Sequence, residues 1–262
     1  MTVYFAVATL AFRRMVAYRI ALWSSVVNNL FWGSLICEVY RALYQGHGAV
    51  AGLTLDDAIS YTWTTQAMIS LGAGWVSGEI ASTVRSGAVE RDLTRPWSFY
   101  GYWLSRTLGE HTFNLLIRST ITYMFGVLVY GARLPAFVDL LSFVLVLVPG
   151  LLVGFAFVFL INATAFWLLD ATGPMLLANV VLGFFSGFLL PLAYFPPWLQ
   201  LVANALPFQA ITNAPVLAWL GQSSGSQLGR VLVGQWFWAI TMTLAALFVA
   251  RRAYRHVVIQ GG

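Results

Sequence analysis

Apolar residues run along this chain in blocks long enough to cross a bilayer, joined by short polar connections. A spanning helix needs about 20 consecutive apolar residues. Blocks of that order fill 20–43, 58–80, 103–130, 137–168, 174–193 and 230–250, which predicts six spans. Ahead of them, residues 2–19 set Phe5, Leu10, Phe12 and Met15 against Arg13, Arg14 and Arg19, the pattern of a helix lying at the membrane interface. Pro149-Gly150 interrupts the fourth block, where a kink or tilt is expected. Asp170, Thr172, Gly173 and Pro174 mark a tight turn before the fifth. Residues 194–220 differ, because Pro196, Pro197, Pro207 and Pro215 cut them into apolar runs too short to span. They read as half-helices that dip in and return. The predicted fold is all-α and polytopic, one transmembrane domain over 1–262 with an N-terminal interfacial helix and an external re-entrant hairpin before the last span.

Composition narrows the class. Hydrophobic residues make up 60% of the 262 and charged residues only 9%, with a mean hydropathy of +0.78. A water-facing surface usually carries about 25% charged residues, so most of this outer surface must face lipid. All 14 basic residues are arginine. Without lysine there is no P-loop and no Schiff-base nucleophile, so any ATP must be bound by another subunit. Cys37 is the only cysteine, which excludes an intrachain disulfide and a cysteine zinc site. The net charge of +5 suits anionic headgroups rather than nucleic acid, because the arginines are scattered among the spans. With six spans, one side holds Arg13, Arg14, Arg19, Arg85, Arg91, Arg95, Arg106, Arg251, Arg252 and Arg255, while the other holds Arg41, Arg133 and Arg230. The positive-inside rule then predicts that both termini are cytoplasmic in the plasma membrane. The short apolar stretch at the start precedes its arginines, so a retained N-terminus is expected rather than a signal peptide.

Catalytic signatures are missing: there is no GxSxG elbow and no HExxH. No cofactor or metal site is expected in the chain. Glu110, Asn114 and Arg118 are spaced by four, so they share a helical face and climb ~12 Å from the inner interface toward mid-membrane. Ionisable groups there need pairing or water. They read either as the polar lining of a substrate path or as a network joining helices. Asn28, Asn29 and Asn162 carry the same two readings. GxxxG spacings at Gly74/Gly78, Gly150/Gly154 and Gly183/Gly187 permit close helix approach. Trp97, Tyr100, Tyr102, Trp103, Tyr194 and Trp198 read as interface anchors.

The most charged stretch, RSGAVERDLTRPW from Arg85 to Trp97, follows the second span. Gly87 can break a helix there and Pro96 limits its continuation, which predicts a short charged surface helix. Its residues Arg85, Gly87, Glu90, Arg91, Asp92, Arg95 and Pro96 suit a docking element for a soluble partner, or an ordinary solvated loop.

The segment GAVERDLTRPWSFYGYWLSR (Gly87–Arg106) and the segment PLAYFPPWLQLVANALPFQAITNAPV (Pro191–Val216) resemble the permease subunits of type-2 ABC exporters, in a six-span branch. Thr94 stands where that pattern has an apolar residue. The resemblance implies that 85–97 is the coupling helix seated in a dimeric ATPase, which carries the ATP and magnesium. It implies that the N-terminal helix touches the same ATPase. It also implies a second permease, identical or similar, with the path between the two chains lined by the first, second and fifth spans. An amphipathic drug or lipid-like substrate would suit such spans. Two other readings compete: a proton-coupled transporter working through Glu110, His111 and Arg118, and a membrane enzyme or scaffold.

Overall fold

The computed structural model describes residues 3–17, 19–46, 48–72, 76–89, 97–168, 170–223 and 225–253. These are helical almost throughout, and none forms a strand beyond the single bridge Val50–Leu53. In chain order the helices are α1 (Val3–Ala17), α2 (Arg19–Leu43), α3 (Leu55–Met68), α4 (Glu79–Arg85), α5 (Phe99–Tyr130), α6 (Phe137–Ala163), α7 (Thr172–Phe185), α8 (Pro197–Ala205), α9 (Asn213–Trp219) and α10 (Gly225–Ala253). Among the described residues, four helices are long and apolar enough to cross a bilayer: Ile20–Leu43, Phe99–Tyr130, Phe137–Phe166 and Gly225–Ala253. Pro197–Ala205 and Pro207–Trp219 meet at a bend of 74°.

Two expected spans differ from the sequence reading. The second is not one helix over 58–80: α3 tightens into a 3-10 turn at Ile69–Leu71, Gly72 turns left-handed at φ 83°, residues 76–78 are not helical, and α4 begins at Glu79. The fifth is helical only from Thr172 to Phe185, and Gly187 at φ 81° follows its C-cap Ser186. The kink expected in the fourth is not a break, since α6 runs on through Pro149.

The polar run in α3 explains why that helix sits innermost. Every residue from Ala58 to Met68 is buried, and SYTWTTQ could not face lipid. Thr62, Thr64 and Thr65 return their hydroxyls to carbonyls of α3 itself, and Ser60 Oγ accepts from Arg133 N at 2.9 Å. Trp63, fully buried, lies between Gly33 of α2 and Gly126 of α5, where any side chain would collide with its ring. A capping box at Thr54 and Asp57 starts α3, and Arg133 bonds Asp57 at 2.9 Å and Asp56 at 3.4 Å beside it.

The segment from Pro207 to Trp219 is buried against α3 and α6. Gly150 admits it: a Cβ there would lie 2.3 Å from the Ala210 carbonyl oxygen. The buried Tyr61 hydroxyl donates to Gly187 O at 2.7 Å and reaches Asn213 Oδ1 at 3.1 Å, tying α3 to the turn after α7 and to α9. Tyr61→Phe is expected to cost ~1–3 kcal/mol by leaving these acceptors short of a donor, measured as a lower melting temperature in detergent. At the other end of the bundle, α4, the start of α5 and the ends of α6 and α10 share a core of Ile80, Phe99, Tyr100, Trp103, Phe155, Phe159 and Ala250. Tyr100 and Trp103, each 4% exposed, therefore belong to the core and are not interface anchors. Trp198, 68% exposed, has the exposure an anchor needs.

Candidate functional site

The end of the bundle that carries Arg85, Arg106, Arg251 and Arg252 also holds the break in the second expected span. Residues 76–78 there are not helical, and two asparagines from other helices hold them. Asn179 of α7 accepts from Val76 N at 2.6 Å. Asn162 of α6, fully buried, accepts from Ala81 N at 2.9 Å and donates to Ser77 O at 2.7 Å. The first N–H groups of a helix have no partner within it, and Gly78 supplies no side-chain cap to α4. Asn162 is thus a helix cap delivered from a neighbouring helix. The sequence reading marked Asn162 as a polar residue within a span. It missed Asn179, whose signal was a lone amide in the apolar run LLANVV.

Beyond α4, Gly87 at φ 72° ends the helix, and Arg85 is exposed in its last turn. Arg85 and Asp170 line a small groove of about 100 Å³ between α4 and the start of α7. Asp170 accepts from the hydroxyl and the N–H of Thr172, which holds its carboxyl below the usual carboxylate range. The other predicted docking residues, Glu90, Arg91, Asp92, Arg95 and Pro96, lie outside the described residues, as does Gly74.

α1 packs along the first half of α5. Tyr4 lies on Gly101 and accepts from Ser98 N at 3.1 Å, and Phe12 meets Phe113 edge-to-face with centroids 5.7 Å apart. Between them, the Ala8 backbone lies directly on Gly109. The polar face of α1 presents Arg13, which is exposed.

Glu110, Asn114 and Arg118 do share a face, together with His111. All four line a cavity of about 290 Å³ between the end of α3, α5 and α6. They do not bond one another. Glu110 pairs with Arg106 at 3.2 Å, and Arg106 also bonds Glu79 at 2.6 Å and lies over the Trp103 ring at 4.8 Å. Arg106 therefore holds both carboxylates that line this cavity, and the Glu110 that a proton relay would need free is already ion-paired. Asn114 donates to Ser70 O at 3.0 Å. Arg118 extends from a π-helical stretch, Asn114–Ser119, a local widening often found at functional positions. The two asparagines of α2 separate: Asn29 is buried and donates to Gln66 O of α3 at 3.2 Å, whereas Asn28 is exposed on the outer face with Val27 and Phe31.

A family model described as ABC-2 family transporter protein matches residues 30–261. No curated protein and no solved structure matches the chain.

Proposed function

The chain belongs to the ABC-2 transporter family and is a multi-pass transmembrane component rather than an ATPase, and from that premise we propose that it is half of an ATP-driven exporter. It pairs with a second permease, identical or similar, above a dimer of separate ATPase subunits that bind ATP and magnesium. The match over residues 30–261 carries this reading. A chain without a single lysine supports the division of labour, since the phosphate-binding loop of an ATPase needs one.

Six crossings fit the fold if α3 with its broken continuation counts as the second and α7 as the fifth. The arginine-rich end faces the cytoplasm, and the hairpin over α8 and α9 lies outside. The segment from Arg85 to Trp97 is the coupling element. Two features favour it: α4 leads into it from the broken span, and Asn162 and Asn179 join that broken span to α6 and α7. A push on the segment therefore has a hydrogen-bonded route into two further helices. The apolar outer face of α2, with Trp23, Val27, Phe31 and Leu35 all exposed, suits the contact with the second permease. The substrate is an amphipathic drug-like or lipid-like molecule, in keeping with the aromatic and apolar spans.

Purification from mild detergent with mass spectrometry of bound proteins tests the assembly. Reversing Glu90, Arg91 and Asp92 together is expected to lower ATPase retention by roughly tenfold or more, while the chain keeps its melting temperature, because complementary charges set which partner binds. An equally stable complex after that reversal would argue against the docking role.

A further inference from the structure

Among the described residues, Arg118 lacks the partner that its position demands. Its Nε is buried without a hydrogen bond, and among the described residues no carboxylate oxygen lies within 4.0 Å of its guanidinium. The two acidic residues lining the same cavity, Glu79 and Glu110, both bond Arg106 instead. Arg14 of α1 adds a second positive charge beside Glu110. A guanidinium at membrane depth is strongly disfavoured unless a counter-charge or a hydrated path accompanies it. Its planar fork matches two oxygens of one oxyanion, and it stays charged at any physiological pH.

We propose that this cavity binds an oxyanion group, the phosphate of an anionic lipid-like molecule or a free phosphate, with Arg118 as its ion partner. The site lies within a single chain, between α3, α5 and α6, and so differs from a path formed between two permeases. About 290 Å³ accommodates a headgroup rather than a whole lipid. Ile80, Phe155 and Val158 on its walls would take the first carbons of an attached chain. The inference needs only the membrane setting and holds whichever ATPase the chain serves.

The test uses the full chain, delipidated in a non-ionic detergent, with melting followed by tryptophan fluorescence. The probes are dioctanoyl phosphatidic acid, dioctanoylglycerol and inorganic phosphate. Phosphatidic acid is expected to raise the melting temperature by on the order of 5 °C near saturation, and dioctanoylglycerol, which differs only by the phosphate, is not. An equal rise with inorganic phosphate assigns the site to the free anion, and a rise with phosphatidic acid alone assigns it to a lipid. Arg118→Gln is expected to abolish the rise without lowering the ligand-free melting temperature, because it removes an uncompensated charge. Arg118→Lys keeps the charge but not the fork, and should retain a reduced rise. Should Arg118→Gln fail to fold, that too counts against the proposal, since the charge would then have a structural partner. A wild-type response to dioctanoylglycerol equal to that with phosphatidic acid, or a full response in Arg118→Gln, overturns it.

Discussion

Gly109→Val is expected to detach α1 from the bundle. A Cβ at Gly109 would lie 2.1 Å from the Ala8 carbonyl oxygen and 2.8 Å and 2.9 Å from the Ala8 carbonyl carbon and Cα. All three are backbone atoms of a helix, so no rotamer change relieves the clash and α1 must move as a body. Overpacking of this kind costs ~1–3 kcal/mol. Most of α1 is half-buried or exposed: Ala11 is its buried residue, Phe5 and Leu10 are exposed, and Tyr4 and Phe12 make named contacts with α5 on either side of Gly109. The substitution therefore forces α1 away from α5 at the centre of their contact. Limited trypsin digestion in detergent reads the effect at the exposed Arg13, where cleavage should quicken by roughly tenfold for each ~1.4 kcal/mol lost. Gly229→Ala in α10 is the control, since a Cβ there meets nothing within 4 Å. Unchanged cleavage in Gly109→Val would mean that this contact does not hold α1. If α1 touches the ATPase, the same variant also weakens the complex, and the two losses should appear together.

How far the sequence disclosed this depends on the kind of signal. The spans from Ile20, Phe99, Phe137 and Gly225 were legible because length and apolarity alone mark them. The second and fifth were misdrawn because hydropathy does not register backbone handedness: Gly72 and Gly187 turn the chain inside runs that remain apolar. The spacing of Glu110, Asn114 and Arg118 correctly placed them on one face, and they line one cavity. Their partners could not be read, because helical periodicity gives a direction and not a neighbour. Arg106, one turn before Glu110, takes both Glu110 and Glu79, and Arg118 is left without either. Tyr100 and Trp103 were mistaken for anchors for the same reason: an aromatic near a helix end faces lipid or core according to what packs there, here Phe155 and Phe159 of α6. The polarity of α3 was present in SYTWTTQ, and its meaning, a helix sheathed by others, is physical once lipid exposure is excluded for such residues.

Asn162→Leu should loosen the segment that leads to the coupling element and leave the rest of the bundle intact. Leucine keeps the same number of side-chain heavy atoms but removes the acceptor of Ala81 N and the donor to Ser77 O. The Ala81 N–H is buried, so water offers it no ready substitute and orphaning it costs ~1–3 kcal/mol, whereas Ser77 is exposed and its carbonyl can turn to water. The loss falls on residues 76–85, whose regular hydrogen bonding begins only at Glu79 and whose helix is seven residues long. By contrast, α6 keeps its own ladder, and its other face still packs on α10 and α5 through Phe155 and Phe159. Hydrogen exchange followed by mass spectrometry should therefore show exchange in peptides spanning 76–85 faster by roughly tenfold or more, with peptides from 141–155 unchanged. Asn179→Leu, which removes the acceptor of Val76 N, should loosen the same stretch from its other edge, and the double variant should exceed either single one. Equal loosening everywhere would reveal a general packing defect, and no loosening in 76–85 would show that these side chains do not hold the break. If they do hold it, a displacement of the coupling segment reaches α6 and α7 through two amides rather than through continuous helix, and removing them should let the ATPase bind without moving those helices.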